Sequence, residues 1–345
     1  MTPPTQLVVA GAGLIGKQHI ERIQRLSETH LLAIVDPTDS AKKLATKLQC
    51  RYYVDIKDMF ADCQPDGVIL ATPNRLHVDQ ANLCIDHLCP ALIEKPIAVC
   101  SEDAKQLIER SNATGVPILV GHHRRHSSMV REAKAMISAG KIGEIKALNM
   151  QCWLYKPDDY FDAAPWRKQK GAGPISVNLV HDIDLARHLC GEIVSVHTMA
   201  SPSFRGFENE DTAAAVIQFA SGAVGTVSVS DSVVSPWSWE LTSRENPAYP
   251  PVQQTAYQIG GTLGSLSVPD LTLWRNSGQP HWWEPLEAIS GNQVFSDPLI
   301  NQLKHLRQVI LGNERPLVSG EEGLKSLRVI EALQQSALEQ RTVHL

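Results

Sequence analysis

The chain has no run of about 18 apolar residues, the rough minimum for a helix that spans a bilayer. It has no C-x-x-C pair either. The seven cysteines (Cys50, Cys63, Cys84, Cys89, Cys100, Cys152, Cys190) are odd in number and scattered, which argues against a zinc ribbon or a disulfide framework. They read as reduced thiols of a cytoplasmic protein. A basic excess is also missing: 32 Lys and Arg face 37 Asp and Glu, a net charge of -5, so nothing draws the chain to nucleic acid or an anionic membrane. The expected partners are small molecules and copies of the chain itself. The opening residues lack a basic segment ahead of an apolar core, so no secretory signal is expected. What is there is an ordinary globular composition, 43% hydrophobic and 20% charged over 345 residues, enough for two domains that each bury a core.

Leu7-Val8-Val9-Ala10 is a short apolar run that meets Gly11-Ala12-Gly13-Leu14-Ile15-Gly16 and then an amphipathic segment reaching Leu26. The order is strand, glycine turn, helix. A second apolar run, Leu31 to Val35, ends on Asp36, twenty residues after Gly16. A G-x-G-x-x-G in that setting, with an acid about twenty residues on, points to a dinucleotide. Gly11 permits the tight turn, Gly13 lets a pyrophosphate approach the backbone, and Gly16 lets the helix pack against the strand. Leu14 and Ile15 open the helix whose N-terminal amides face the phosphates. Asp36 accepts from ribose hydroxyls and repels a 2′-phosphate. No arginine follows it in Pro37-Thr38-Asp39-Ser40, so NAD is expected and NADP is less favoured.

Further apolar runs at 51–54, 67–71, 91–94 and 118–120 alternate with helical segments at 56–63, 76–87 and 102–114. Six strands alternating with helices predict a doubly wound parallel sheet. Ligands lie beyond the carboxyl ends of such strands. That rule puts Thr72-Pro73-Asn74, Lys95-Pro96 and Gly121-His122-His123 at the edge that carries the glycine loop. A Glu-Lys pair at a loop start is usually solvated surface, but the position of Glu94-Lys95 points Lys95 toward the bound molecule. His77 and the run His122, His123, His126 have no spacing that enforces a ligand set. With Arg124 and Arg125 between them, they read as cationic surface or cofactor-edge residues, and no metal is expected.

From about Ser127 the alternation stops. A helix at 128–139 leads to a long strand at 145–155, a polar aromatic loop at 156–170, and Gly171-Ala172-Gly173-Pro174 opening a helix at 175–190 that carries His181, Asp182 and Asp184. Extended stretches follow at 193–200, 212–220, 224–234, 256–259, 263–268 and 271–275, with small and β-branched residues that suit an antiparallel sheet. Ala213-Ala214-Ala215-Val216-Ile217 is apolar on both faces. Helices would then cover one face and another subunit the other, giving a homodimer or homotetramer through this sheet. All seven tryptophans lie in this part, and Trp166 beside Arg167 is the best candidate to stack on a sugar ring. Residues 276–296 look irregular, a lid or an arm, and helices at 299–311 and 321–338 close the chain. The expected division is an NAD-binding domain over 1–126 and a substrate-binding and oligomerisation domain over 127–345.

Gly11 to Gly16, Ala71-Thr72-Pro73-Asn74 with His77, and Glu94-Lys95-Pro96 occur in that order, followed by Trp166-Arg167, Gly171 to Asp184 and Val318-Ser319-Gly320-Glu321-Glu322-Gly323. Together they resemble the glucose-fructose oxidoreductase / inositol dehydrogenase / rhizopine-catabolism family of NAD(P)-dependent oxidoreductases, over nearly the whole length. The resemblance implies an α/β protein, an N-terminal Rossmann doubly wound parallel sheet followed by an α/β domain with a large, mostly antiparallel sheet. It implies that Lys95 and His181 are catalytic and that Lys95 meets both nicotinamide ribose and substrate hydroxyl. Thr72, Pro73, Asn74, His77 and Glu94 are expected to border the cofactor, and His122, Arg124, Trp166, Arg167, Asn178 and His181 to face the substrate. Many relatives carry an acid about one turn before this histidine. Here Val177 stands four residues before it and Asn178 three, so the orienting carboxylate is missing. The activity implied is oxidation of a secondary hydroxyl of a sugar, sugar derivative or cyclic polyol, with Lys95 and His181 handling the proton. Two other classes stay open, an NAD-dependent glycosidase that oxidises, eliminates and reduces, and a non-catalytic NAD-binding regulator.

Overall fold

A computed structural model describes residues 3–345. Two compact units emerge, one formed by the chain up to His123 with Pro298–Leu327, the other by Arg124–Asp297 with Arg328–Leu345. The first break lies three residues before the expected one at 126/127. The larger difference is Pro298–Leu327, which the sequence pattern left with the second domain. Packing explains it: Leu303, Leu306 and Val309 share a buried cluster with Leu7, Val9, Ile34, Ile69, Leu92 and Leu119 of the first sheet.

The first unit holds β1 (Thr5–Ala10), α1 (Leu14–Arg25), β2 (Thr29–Val35), α2 (Asp39–Leu48), β3 (Arg51–Tyr53), α3 (Ile56–Asp62), β4 (Gly67–Leu70), α4 (His77–Asp86), β5 (Ala91–Ile93), α5 (Ser101–Thr114) and β6 (Ile118–Val120). The sheet is parallel throughout, in the order β3-β2-β1-β4-β5-β6. Its central strands read as unbroken apolar runs because both faces are covered. Val8, Ala33, Val68 and Ile93 belong to one core cluster, and Leu7, Ile34, Ile69 and Leu92 to the other. Parallel pairing sends every strand in one direction, so the loops after β1, β2, β4, β5 and β6 share one edge.

The second unit contains α6 (Ser128–Ser138), β7 (Ile145–Trp153), α7 (Asp158–Asp162), α8 (Pro174–Val177), α9 (Leu179–Cys190), β8 (Ile193–Ala200), β9 (Thr212–Phe219), β10 (Val224–Ser230), α10 (Trp239–Thr242), β11 (Tyr257–Gly261), β12 (Ser265–Val268), β13 (Thr272–Asn276) and β14 (Leu286–Ser290). After these come α11 (Pro298–Ile310) in the first unit, α12 (Gly320–Glu339), which contributes to both, and β15 (Val343–His344) in the second. The nine-stranded sheet runs β14-β13-β12-β11-β7-β10-β9-β8-β15, antiparallel except where β10 pairs with β7. Leu148, Met150, Ala213, Ala215, Ile217, Val227, Val229 and Ile259 point into one core with Ile183, Leu185 and Leu189 of α9. The alternate residues Ala214, Val216 and Gln218 of β9 are exposed within the chain.

Two expectations change here. The segment 276–296 is not wholly irregular, since β14 within it returns against β13. The helix expected over 175–190 is two helices, broken at Asn178, which ends α8 and begins α9. Among the described residues no helix is long and apolar enough to cross a membrane.

Candidate active site

The glycine loop occupies the turn between β1 and α1. Gly11 adopts φ 92°, a left-handed conformation that a side chain disfavours. A Cβ on Gly16 would collide with the Gly11 carbonyl, whereas nothing lies within 4 Å of a Cβ position on Gly13. The loop is therefore tight beneath and open above, over the first amides of α1, and Leu14 is 75% exposed on it. Asp36, just past β2, accepts from the Ala12 amide at 2.8 Å through Oδ2 and from the Thr38 amide at 2.9 Å through Oδ1. Burial works to raise its pKa, but the Thr38 hydroxyl, the Ala12 and Thr38 amides and Lys17 outweigh it and hold the carboxyl below its ordinary value. Asp36 is thus an anion beside the loop, suited to ribose hydroxyls. An open glycine loop and a charged acid at the next strand end fit NAD.

The loops after β4 and β5 are tied together by His77. Its Nδ1 lies 2.8 Å from the Pro96 carbonyl oxygen and its Nε2 lies 2.9 Å from the Thr72 carbonyl oxygen. The ring is fully buried, so His77 holds backbone and is not a cofactor contact as expected. Thr72 is half-buried, with its hydroxyl on Gln80 Oε1 at 2.6 Å, and Pro73 and Asn74 are exposed at the rim. Lys95 is half-buried beyond β5, and the Lys95-Pro96 peptide is cis.

Glu94, expected at the cofactor's border, holds the Lys95 peptide. Its side chain is buried: Oε1 lies 2.8 Å from Nε2 of His19 on α1, and Oε2 accepts from the Lys95 amide at 3.3 Å. Burial pushes the Glu94 pKa up, while the bond and charge of His19, then His123 and Lys95, bring it below its ordinary value. Gly121 backs the carboxylate so closely that a Cβ there would meet Glu94 Oε2 at 2.8 Å. The acid locks the Lys95 peptide to the helix of the glycine loop. His19 escaped the sequence reading, although its register beside Ile20 and Ile23, on the buried face of α1, was a signal.

In the second unit His181 is buried on α9, and its amide donates to the Asn178 carbonyl at 3.1 Å. Asn178 is half-buried, and its Oδ1 accepts from Lys156 Nζ at 2.6 Å. Trp166 is 53% exposed, next to a half-buried Arg167 whose Cζ sits 4.0 Å from the Tyr160 ring centre. The expected cationic surface does not form: His122, Arg124, Arg125 and His126 are all buried. Arg124, expected to face substrate, is spent on Asp182 at 3.1 Å and Glu240 at 2.5 Å, and Arg125 grips Asp184 with two bonds at 2.8 and 2.7 Å. Burial and the guanidinium partners explain this, since a buried charge needs a close counter-ion. Asp184 is accordingly an ion-pair partner.

Two family models match the chain: an oxidoreductase family with an NAD-binding Rossmann fold over residues 5–122, and the GFO/IDH/MocA C-terminal domain over residues 130–267. Inositol 2-dehydrogenase 1 of Mycolicibacterium vanbaalenii is 31% identical over 225 residues, 63% of this chain and 63% of that protein. The match therefore spans less than two thirds of that relative's length. The WlbA dehydrogenase of Bordetella pertussis, solved with NADH and UDP-GlcNAcA, is 25% identical with a TM-score of 0.81, covering 100% of this chain and 99% of that one. An oxidoreductase of Agrobacterium radiobacter, solved with NAD+, L-tartaric acid and magnesium, shares the fold at a TM-score of 0.83 and 21% identity, over 99% of this chain and 98% of that one. With both of its parts matched in order, the chain belongs to the GFO/IDH/MocA family of oxidoreductases and carries that family's NAD-binding Rossmann domain.

Proposed function

We propose that the chain catalyses the NAD-dependent oxidation of a secondary hydroxyl on a sugar, sugar derivative or cyclic polyol. The observation that carries this reading is Lys95: it stands past the carboxyl end of β5, on the edge that bears the glycine loop, with its peptide fixed by Glu94 and His19. NAD supplies the hydride acceptor, nicotinamide C4. Gly11, Gly13, Leu14, Ile15 and Gly16 hold the pyrophosphate, and Asp36 the adenosine ribose. Thr72, Pro73 and Asn74 line the rim beside it. Lys95 Nζ donates to the reacting oxygen and takes or relays its proton, and a ring nitrogen of His181 is the second acid/base group. Trp166, Arg167 and Asn178 contact the substrate. The names of the inositol dehydrogenase and the WlbA relative support a sugar or polyol.

The exposed alternate residues of β9 support self-association through the nine-stranded sheet, as a homodimer or homotetramer. The seven free cysteines suit a reducing compartment, the cytoplasm. The test is an NADH-formation screen over inositols, aldoses and glycosides, with NADP run in parallel. We expect NADH to accumulate with a free sugar or polyol. Glycoside cleavage without NADH would favour the glycosidase, and NAD binding with no turnover would favour a regulator. Lys95→Ala is expected to keep NAD binding and lose turnover; undiminished turnover would sink the assignment.

A further inference from the structure

Asp36 is heavily engaged by the protein itself. A carboxylate has roughly four lone-pair sites, two on each oxygen. Three of them are taken here: Oδ2 accepts from the Ala12 amide at 2.8 Å, and Oδ1 accepts from the Thr38 amide at 2.9 Å and from the Thr38 hydroxyl at 2.5 Å. Oδ1 is therefore filled. One site remains, on Oδ2, beside the bond from the glycine loop.

The Thr38 hydroxyl is itself fixed. Its only hydrogen goes to Asp36, so at the 3.0 Å contact with Ser40 Oγ the serine must be the donor. The same oxygen caps α2 by accepting from the Ala41 amide at 3.3 Å. The acid, the cap and the start of α2 thus form one unit. Burial works to raise the Asp36 pKa, and the Thr38 hydroxyl is the largest of the influences that hold it down, ahead of the two amides and Lys17.

We infer that Thr38 makes Asp36 a reader of one ribose hydroxyl and not of the pair: by filling Oδ1 it leaves a single acceptor for the adenosine ribose. Cofactor recognition at this acid then depends on one of the 2′ and 3′ hydroxyls and hardly on the other. This rests on the placing of Asp36 against the adenosine ribose above. An acid with both oxygens open would hold both hydroxyls and lose affinity when either is removed. Thr38 acts through Asp36, so it is a positioning residue.

The test is calorimetric titration of NAD and its 2′-deoxy and 3′-deoxy analogues, each lacking one hydroxyl of the adenosine ribose, into wild type, Thr38→Val, Thr38→Ser and Asp36→Ala. In wild type one analogue should bind about tenfold or more weaker than NAD and the other within about threefold of it. Thr38→Val frees a lone pair on Oδ1 for the second hydroxyl, so the two analogues should come within about threefold of each other; Thr38→Ser should keep the wild-type contrast. As pH falls from neutrality, Thr38→Val should also lose NAD affinity at a higher pH than wild type, because burial of Asp36 is then less opposed. A role limited to capping α2 would lower the melting temperature and move neither readout. The inference is overturned if the two analogues bind alike in wild type, or if their contrast survives in Thr38→Val. Should Thr38→Val fail to fold by circular dichroism, the wild-type contrast decides alone. The two readings fail separately. Asp36→Ala binding NAD as tightly as wild type removes the ribose placement and the inference with it, whereas a loss in Asp36→Ala with both analogues alike in wild type removes the inference only.

Discussion

Replacing His19 by leucine removes the partner of Glu94 with little change in volume, and the consequences can be worked from geometry. The bond from His19 Nε2 to Glu94 Oε1 is 2.8 Å long and fully buried. A hydrogen bond to a charged group contributes about 1.5–3 kcal/mol. In a unit of roughly 150 residues, each kcal/mol moves Tm by about 2–4 °C, so His19→Leu should melt about 3–12 °C lower at pH 7. The pH dependence has a definite sign. Glu94 has a folded pKa below its ordinary value of 4.5, so its stabilisation is fully present above that value and is lost as pH falls through the folded pKa. Burial is the largest single influence on Glu94, and without His19 its main opposition is gone, so the carboxylate becomes a penalty as pH rises. The gap in Tm between the two proteins should therefore be smallest in acid, below the folded pKa of Glu94, and open toward neutrality. His19→Gln keeps an N–H donor and should recover part of the loss. Differential scanning calorimetry from acid to neutral pH reads all three. Equal melting at pH 7, a gap that widens toward acid, or a glutamine variant as weak as the leucine one would refute the reasoning. Lys95 adds a second readout, because its peptide hangs from Glu94: turnover in His19→Leu should fall while NAD affinity holds within about threefold.

Other perturbations probe the same framework. Asp36→Ala should raise the KM for NAD about tenfold and narrow the preference over NADP, because the repulsion of a 2′-phosphate goes with the carboxylate; an unchanged ratio of kcat/KM for the two cofactors would contradict it. Gly16→Ala drives a Cβ onto the Gly11 carbonyl, so calorimetry should show NAD affinity down by at least about tenfold. Val216→Glu puts a charge on the open face of β9, and sedimentation velocity should show dissociation if copies meet there; an unaltered sedimentation coefficient for an oligomeric wild type would remove that face as the interface.

The parts of the fold that could be read from sequence are those with a local cause. β1, the glycine turn and α1 follow from an apolar run, glycines and a helical stripe in immediate succession, and Asp36 follows from its distance along the chain. The parts that could not be read depend on partners far away. Arg124 looks like a surface cation until it meets Asp182, 58 residues on, inside a core. The break at Asn178 is hidden because the residues on either side are apolar and helix-compatible. α11 carries an amphipathic stripe that states only that it is covered, not by which sheet. β14 lacks the alternation that marks a half-buried strand, since all five of its residues are exposed. For His19 the register beside Ile20 and Ile23 marks only the buried face of α1; its partner Glu94 lies 75 residues on and has no local mark.

That exposed strand bears on how the protein behaves when concentrated. β14 terminates the nine-stranded sheet, and its outer backbone amides and carbonyls form a ready template on which a foreign strand could continue the ladder. Leu286 and Ile289 would make such an addition adhesive. Standing between them is Glu287, whose Oε1 accepts from Ser277 at 2.8 Å across the hairpin and which sets a negative charge in the middle of the edge. Two strands approaching in register would bring like charges together, so this glutamate acts as a gatekeeper against edge-to-edge aggregation.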